Sequence, residues 1–204
     1  MVPYRSITLL CGSALVVAIM LLAPRPTVSL AACELAGEWV AANRASLPTT
    51  LDDFSTLPMA HRRAVYAELS VEDRRSLWRE HLATFTNPGD GLTGDQIATV
   101  MAIANRTGVY ITEDPAVGRA ALEADGWTPE RLTEAFGERA VEVFGTLGPG
   151  PAAPAAAQHP DCACSVDSDW CGSSTCTEWV CEYKITGCGT LWCFPCDGLC
   201  YSGD

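Results

Sequence analysis

The sequence predicts a mainly α fold: an all-helical N-terminal domain, a Pro/Ala-rich tether, and a small disulfide-rich C-terminal module with a short β-hairpin. Three observations lead to this prediction. Helix-capping signals and helically spaced apolar residues recur through residues 33–148, which we name the helical domain. Proline and alanine dominate the tether, residues 149–161. Nine of the eleven cysteines then fall within residues 162–204, the C-terminal module.

The segment before the helical domain, residues 1–32, has the layout of a secretory signal peptide. Arg5 precedes a nearly unbroken apolar run over residues 7–23, which is short for a membrane-spanning helix. Two processing routes remain open. Residues 29–31, Ser-Leu-Ala, fit a small-residue cleavage site, whereas the Leu-Ala-Ala-Cys that ends at Cys33 resembles a lipobox, in which that cysteine carries a lipid. Either route predicts a secreted or extracytoplasmic protein, and the second anchors it to a membrane by lipid.

Helices in the helical domain are predicted from their starts and from one apolar face each. Leu35, Trp39 and Ala42 share a face of the first helix. Later starts carry a hydroxyl residue ahead of a polar residue or a proline, namely Ser70 with Asp73, Thr93 with Gln96, and Thr128 with Pro129. The residues expected to face the core after these starts are Val71, Trp78, Leu82, Phe85, Ile97, Val100, Met101, Ala104, Leu132, Phe136, Ala140, Val143 and Leu147. Gly148 is expected to end the last helix.

Few residues of the helical domain suggest chemistry. His61 lies beside Arg62 and Arg63, and His81 closes a segment that contains Arg79. Histidine among arginines can bind an anion or act as a base, but a solvated helix surface with intrahelical ion pairs is the favoured interpretation. The chain contains no zinc-protease motif, nucleophile elbow or phosphate loop. The sequence therefore predicts no enzyme, no catalytic residue and no cofactor.

The cysteines of the C-terminal module predict a disulfide scaffold formed in an oxidising compartment. They are Cys162, Cys164, Cys171, Cys176, Cys181, Cys188, Cys193, Cys196 and Cys200. So short a segment cannot bury enough apolar surface to stay folded without cross-links. Because their number is odd, one thiol is left over unless Cys33 supplies a partner, and the connectivity stays open.

Zinc is the rival explanation for two of the cysteine spacings. Cys162-x-Cys164 and Cys193-x-x-Cys196 are spacings that zinc sites use. The module contains no histidine, however, and an exported protein meets an oxidising environment. Disulfides are therefore favoured, and no metal is predicted.

A β-hairpin is predicted within the module. Residues 177–186 alternate in the manner of a strand. The side chains expected on one side of it are Trp179, Cys181, Tyr183 and Ile185. The Gly-Cys-Gly of residues 187–189 is expected to turn the chain, so that residues 191–194 return as the partner strand.

Three tryptophans of the module, Trp170, Trp179 and Trp192, are candidates for a recognition face. Aromatic residues dominate both protein interfaces and small cores, so the same side chains could instead fill the interior of the module. Spacing within the sequence does not choose between the two roles.

The segment Trp192-Cys193-Phe194-Pro195-Cys196 resembles the W-C-x-P-C active site of thioredoxin-like oxidoreductases. That chemistry requires the first cysteine at the N-terminus of a helix, which lowers the pKa of its thiol, with more sheet downstream. Only a few residues follow Cys196 in this sequence. A thiol–disulfide oxidoreductase acting through Cys193 and Cys196 is therefore a remote alternative.

Charge limits the partners that the chain can bind. The formal net charge is −12 at pH 7, and an acidic chain is repelled by nucleic acids and by anionic lipid headgroups. The sequence therefore predicts no nucleic-acid partner. Membrane contact is expected only through the signal peptide or a lipidated Cys33.

Two groups of segments carry a resemblance to the bacteriocin fulvocin C-related family. In the module they are residues 162–171, CACSVDSDWC, residues 187–192, GCGTLW, and residues 195–200, PCDGLC. In the helical domain they are residues 33–40, CELAGEWV, residues 47–49, LPT, residues 57–66, LPMAHRRAVY, and residues 77–82, LWREHL. The resemblance implies a secreted or surface protein related to a small, cysteine-rich antibacterial peptide. Cys193 departs from the pattern, since an ordinary residue is expected there, and this departure would account for the odd cysteine count.

These observations lead to two expectations about function. The first is a secreted, bacteriocin-like protein whose helical domain acts as carrier or self-protecting partner, and whose module is an antibacterial effector. Because the module is acidic, its target would be a surface receptor on another bacterium rather than the lipid bilayer. The alternative is a cell-surface structural or binding protein, lipidated or not, that is never cleaved.

Overall fold

The computed structural model describes residues 30–87, 91–149, 164–172, 174–178 and 183–201, with the backbone alone for residues 30–34. The predicted fold class is confirmed, because helices fill the first part of these residues and short antiparallel strands with disulfides fill the last. Residues 1–29 of the predicted signal peptide and residues 150–161 of the tether lie outside the described residues, whereas residues 30–32 of the predicted signal peptide begin the first helix. Within them, no helix is both long enough and apolar enough to cross a bilayer.

The described residues form eight α-helices, two 3-10 turns, a π-helical turn and four strands. The α-helices are α1 (Leu30–Asn43), α2 (Leu51–Ser55), α3 (Met59–Glu68), α4 (Val71–Ala83), α5 (Gly94–Asn105), α6 (Thr107–Tyr110), α7 (Pro115–Ala124) and α8 (Pro129–Phe136). The 3-10 turns are Arg44–Ser46 and Thr190–Trp192, and the π-helical turn is Val141–Gly145. The strands are β1 (Thr175–Glu178), β2 (Lys184–Cys188), β3 (Phe194–Cys196) and β4 (Gly198–Tyr201).

The predicted helix starts are confirmed by their hydrogen bonds. The Ser70 hydroxyl accepts from the Asp73 amide at 3.1 Å and so caps α4. Thr93 and Gln96 form a reciprocal capping box at the start of α5. Pro129 is the first residue of α8, where its missing amide proton costs no hydrogen bond.

The predicted face of α1 is wrong by one residue. Leu35 and Ala42 are exposed, whereas Ala36 and Val40 are buried and Trp39 is half-buried. Apolar residues surround most of this helix, so its pattern alone does not select the face that packs against α3.

The last helix of the helical domain ends earlier than predicted. It stops at Phe136, because Gly137 adopts a φ of 61° that ends the helical path, and the chain continues into the π-helical turn. The side chains predicted for its inner edge are nevertheless all buried, namely Leu132, Phe136, Ala140, Val143 and Leu147. On α5 the buried residues are Val100 and Ile103, while the predicted core residue Met101 is exposed.

The predicted hairpin is present with a shifted partner strand. β2 pairs with β3 in antiparallel fashion, with Cys188 opposite Phe194, and a second antiparallel pair joins β1 to β4. The predicted partner began at residue 191, but Leu191 and Trp192 belong to a 3-10 turn. The single strand predicted over residues 177–186 is wrong, because residues 177–178 belong to β1, residues 184–186 belong to β2, and these strands lie in different sheets. Residues 179–182 lie outside the described part of the chain.

The larger of two apolar clusters among the described residues joins the helical domain to the module. It contains residues from α1 to α8 and from the π-helical turn, together with Leu191, Trp192, Cys193 and Phe194 of the C-terminal module. The module therefore packs against the helical domain through the segment that connects β2 to β3.

Candidate functional site: the Trp192 socket

Three disulfides define the described part of the module. They join Cys164 to Cys176, Cys171 to Cys200, and Cys188 to Cys196, with Cα–Cα distances of 5.9, 5.4 and 5.1 Å. The prediction of a disulfide scaffold is confirmed for these six cysteines. Cys162 and Cys181 lie outside the described residues, as does the side chain of Cys33.

Cys193 is not part of a disulfide, which corrects its inclusion among the predicted scaffold cysteines. Its thiol is buried and donates a hydrogen bond to the backbone oxygen of Tyr110, with an Sγ–O distance of 3.4 Å. The side chain thus faces the helical domain instead of another cysteine. Burial raises the pKa of the Cys193 thiol to about 12, so the thiol is protonated at neutral pH.

This arrangement opposes the remote oxidoreductase alternative. Cys196 is bonded to Cys188 and not to Cys193, although the W-C-x-P-C spacing would pair Cys193 with Cys196. An attacking cysteine in such enzymes is an accessible thiolate with a lowered pKa, whereas Cys193 is enclosed and its pKa is raised.

Trp192 is a buried contact between the module and the helical domain. Its side chain is 1% exposed, and its ring centroid lies 5.2 Å from that of Tyr66 and 6.3 Å from those of Phe54 and Trp78. The indole Nε1 donates to the backbone oxygen of Gly145 at 3.1 Å. We call these three rings and this carbonyl the Trp192 socket. Of the two roles that the sequence left open for Trp192, recognition face or core residue, the structure shows the second.

The turn that carries Trp192 has an uncommon backbone. Leu191 and Trp192 have φ angles of 52° and 53°, in the left-handed region that costs a non-glycine residue about 1 kcal/mol or more. Gly189, at a φ of 69°, approaches Phe194 so closely that an added Cβ would lie 2.6 Å from the Phe194 Cβ. Packing of Leu191 and Trp192 into the core offsets this strain.

Trp170 also stabilises the turn. Its indole Nε1 donates to the Thr190 hydroxyl at 3.2 Å, and the buried Ser168 hydroxyl lies 3.1 Å from the same oxygen. The Trp170 ring rests against Gly145, where an added Cβ would lie 2.8 Å from the Trp170 Cγ. The half-buried Trp170 therefore forms part of the contact between module and helices, and Trp179 lies outside the described residues.

Arg62 is buried, and not solvated as predicted. Its side chain is 7% exposed, and it donates to the backbone oxygens of Leu57, Leu147, Pro149 and Ser55 over 2.7–3.2 Å. Burial lowers the pKa of this guanidinium, which remains charged because an arginine starts from so high a value. Arg62 thus joins the oxygens of Leu147 and Pro149, where the chain enters the tether, to those of Ser55 and Leu57.

His81 is buried as well, which again corrects the predicted solvated surface. The Gly148 amide donates to its Nδ1 at 3.3 Å, so Nε2 carries the proton and donates to the Glu142 oxygen at 3.1 Å. Burial, with a smaller contribution from the nearby charge of Arg62, lowers the pKa of His81 to about 4. His81 is a neutral structural residue at pH 7.

Arg79 lies on a solvated helix surface as predicted, whereas His61 packs against an aromatic ring. Arg79 and Glu72 form an exposed ion pair within α4 at 2.6 Å, as the solvated-surface interpretation requires. His61 instead packs its ring edge-on against Trp39, with centroids 5.5 Å apart. No predicted anion site is assembled from these residues.

The sulfur atoms of Cys164, Cys171 and Cys176 lie within 4.8 Å of one another. Each belongs to a disulfide, however, and a disulfide sulfur lacks the negative charge with which a thiolate binds zinc. The cluster is therefore two adjacent bridges and not a metal centre.

Several apolar residues of the described part of the module are exposed to solvent. Tyr183 and Ile185 are each 62% exposed, and Tyr201 is exposed on β4. The alternation of residues 177–186 had already placed Tyr183 and Ile185 on one side of a strand, but it did not show that this side faces solvent.

The geometry assigns the socket a docking role, since it holds a turn of the module inside the helical domain and contains no accessible nucleophile. Comparisons of this chain with protein-family models, with curated proteins and with solved structures returned no match.

Proposed function

We propose that the chain is an exported, bacteriocin-like protein in which the helical domain covers one face of the C-terminal module until the two separate. The observation that carries this proposal is the burial of Trp192 in the socket. The disulfides indicate an oxidising environment, which agrees with export. The resemblance to the fulvocin C-related family supplies the antibacterial part of the proposal.

The partner in this proposal is a surface receptor on a target bacterium. Acidic residues outnumber the single Lys184 in residues 162–204, which disfavours attraction to anionic lipid. Tyr183 and Ile185 are the exposed apolar side chains of β2 and its approach, and such residues are suited to a protein interface.

A cleavage experiment tests the proposal. A protease site is introduced between residues 151 and 158, the chain is cut, and the module is separated in denaturant with its disulfides intact. We expect the separated module to inhibit the growth of related bacteria at micromolar concentration, and the uncut chain, in which the helical domain encloses Trp192, to inhibit growth less. Absence of inhibition by a correctly oxidised module contradicts the effector role.

A matched variant tests the receptor part. Because Tyr183 and Ile185 are exposed, replacing both with alanine should change the stability of the full chain little while abolishing inhibition by the separated module. A doubly substituted module that inhibits as well as the original contradicts this recognition face.

The second candidate is a cell-surface structural or binding protein that is never cleaved. The depth of the Trp192 contact favours it, because the helical core is incomplete without the module. The intact mass of the protein from its native source distinguishes the two candidates. One species that retains the module favours the surface protein, a shortened pair of species favours the bacteriocin-like precursor, and a lipid on Cys33 appears as added mass.

A further inference from the structure

The segment from Cys188 to Cys196 is a loop closed by its own disulfide, and we call it the anchor loop. Cys188 lies at the end of β2, Cys196 at the end of β3, and both are buried. The loop carries the Trp192 turn between these two strands. Its geometry therefore depends on a covalent bond and on a short, irregular strand pairing.

The anchor loop supplies the fully buried residues with which the described part of the module enters the shared core. Those residues are Leu191, Trp192, Cys193 and Phe194. Their partners are side chains of the helical domain that are themselves buried, including Phe54, Tyr66 and Trp78. If the anchor loop left this position, these buried side chains of the helical domain would become exposed to solvent.

The loop also holds a conformation that an open chain would not keep. Leu191 and Trp192 are both left-handed, a state that non-glycine residues leave when nothing confines them. The disulfide joins the ends of the loop, and the helices enclose its tip. Loss of the covalent restraint leaves the packing alone to oppose the backbone strain.

We infer that the Cys188–Cys196 disulfide is a redox-controlled latch, whose reduction withdraws Trp192 from the socket and undocks the module from the helices. The reductant is a small dithiol. Its two thiols reduce the S–S bond, Cys188 and Cys196 each become a thiol, and the dithiol becomes a cyclic disulfide. This inference does not depend on antibacterial activity.

The disulfide that joins Cys171 to Cys200 provides the matched control. It closes a loop with a sequence separation of 29, compared with 8 for Cys188–Cys196. If the bridges acted only by restricting the unfolded chain, the longer loop would stabilise more. The latch predicts the reverse order for the melting of the helices.

The first experiment compares the full chains C188S/C196S and C171S/C200S by circular dichroism at 222 nm, where the helices dominate the signal. We expect the first variant to lower the melting temperature of the helices by about 10 °C, and the second to lower it by much less. An equal or larger decrease in the second variant overturns the inference.

A second experiment uses the unsubstituted chain and needs no variant to fold. The chain is titrated with dithiothreitol, the thiols are alkylated at each step, and peptide masses identify which cysteines have opened. We expect alkylation of Cys193, which is buried in the docked state, and a red shift of tryptophan emission to accompany the opening of Cys188–Cys196. Opening of this bridge with Cys193 still protected, or only after the helices have melted, overturns the inference.

The outcome is separable from that of the growth assay. If reduction of Cys188–Cys196 undocks the module but the separated module does not inhibit growth, the effector role is wrong and the redox-controlled latch stands. If the separated module inhibits growth but opening of Cys188–Cys196 does not affect the helices, the latch is wrong and the effector role stands.

Discussion

A buried tryptophan removes more apolar surface from water than almost any other side chain, and Trp192 does so where α2, α3 and α4 meet. The contact joins a residue of the cysteine-rich tail to rings that lie far earlier in the chain. Its indole hydrogen bond to Gly145 satisfies the one polar atom of the side chain. Trp192 is thus a core residue of the helical domain supplied from outside that domain.

Replacement of Trp192 by alanine should lower the free energy of unfolding by about 3–5 kcal/mol, because it leaves a cavity among three aromatic rings. Urea unfolding followed by far-ultraviolet circular dichroism measures the change. Tyr183→Ala is the control, since that ring is exposed and its removal should change stability by about 0.5 kcal/mol or less. Equal effects of the two substitutions would contradict the socket.

His81 should make stability depend on pH below neutrality. Its pKa is about 4 in the folded protein and about 6.5 when unfolded. Between these values the unfolded chain binds a proton that the folded chain does not, so stability falls as the pH falls from about 6.5 to about 4. The loss attributable to His81 should be about 3 kcal/mol.

Denaturant unfolding at pH 7 and at pH 4 measures that loss. His81→Gln cannot titrate in this range, so the difference between the two pH values should shrink by the same amount. An unchanged difference in the variant would mean that other groups cause the pH dependence.

At this scale the sequence predicted some residues and missed others for identifiable reasons. A surplus cysteine was foreseen from the odd count, and the departure of Cys193 from the family pattern singled it out. The burial of Arg62 and His81 was missed and that of Trp192 was left open, because each is buried by contacts between segments far apart in the sequence. A local sequence pattern of charged or aromatic residues does not reveal such contacts.

The sequence specifies where the helices of this fold begin better than it specifies the faces by which helices and strands pack. Hydroxyl caps at Ser70, Thr93 and Thr128 act within a few residues, which is why the sequence located those starts. The face of α1 was misassigned because α3 selects Ala36 and Val40 by packing. The partner of β2 was shifted because the Thr190–Trp192 turn takes residues that would otherwise have extended β3.

The module packs against the π-helical turn, where the Trp170 ring contacts Gly145. Gly145→Ala should lower the free energy of unfolding by about 1–3 kcal/mol, because the new methyl group would meet the Trp170 ring. Gly37→Ala is the matched control. An added Cβ there meets nothing within 4 Å, and it lies on the exposed side of α1.

We expect Gly37→Ala to stabilise the protein by about 0.5–1 kcal/mol, as alanine does in a helix interior. Thermal melts of both variants test the pair. Destabilisation by both, or by neither, would contradict the proposed contact between Gly145 and Trp170.

One main apolar core spans the described parts of the helical domain and of the module, although the two parts differ in construction. The helical domain follows from local signals, and the module follows from its cysteines, as the sequence indicated. What joins them is the Trp192 socket, together with Trp170 on Gly145. Cutting the chain between them should therefore not by itself separate them.

A protease cut between residues 151 and 158 should leave two fragments that elute together in size-exclusion chromatography under native conditions. Denaturant should separate them. The cut chain with Trp192→Ala should separate without denaturant, because it lacks the main apolar contact. If the Trp192→Ala fragments co-elute to the same extent as the unsubstituted fragments, another contact holds the module to the helical domain.

The position of Trp192 in the chain also sets the order in which the protein can mature. Phe54, Tyr66 and Trp78 are synthesised well before the ring that completes their packing. In the growing chain these three rings lack that partner until residue 192 has been added. The helical domain therefore cannot reach its final packing before the module has been translated.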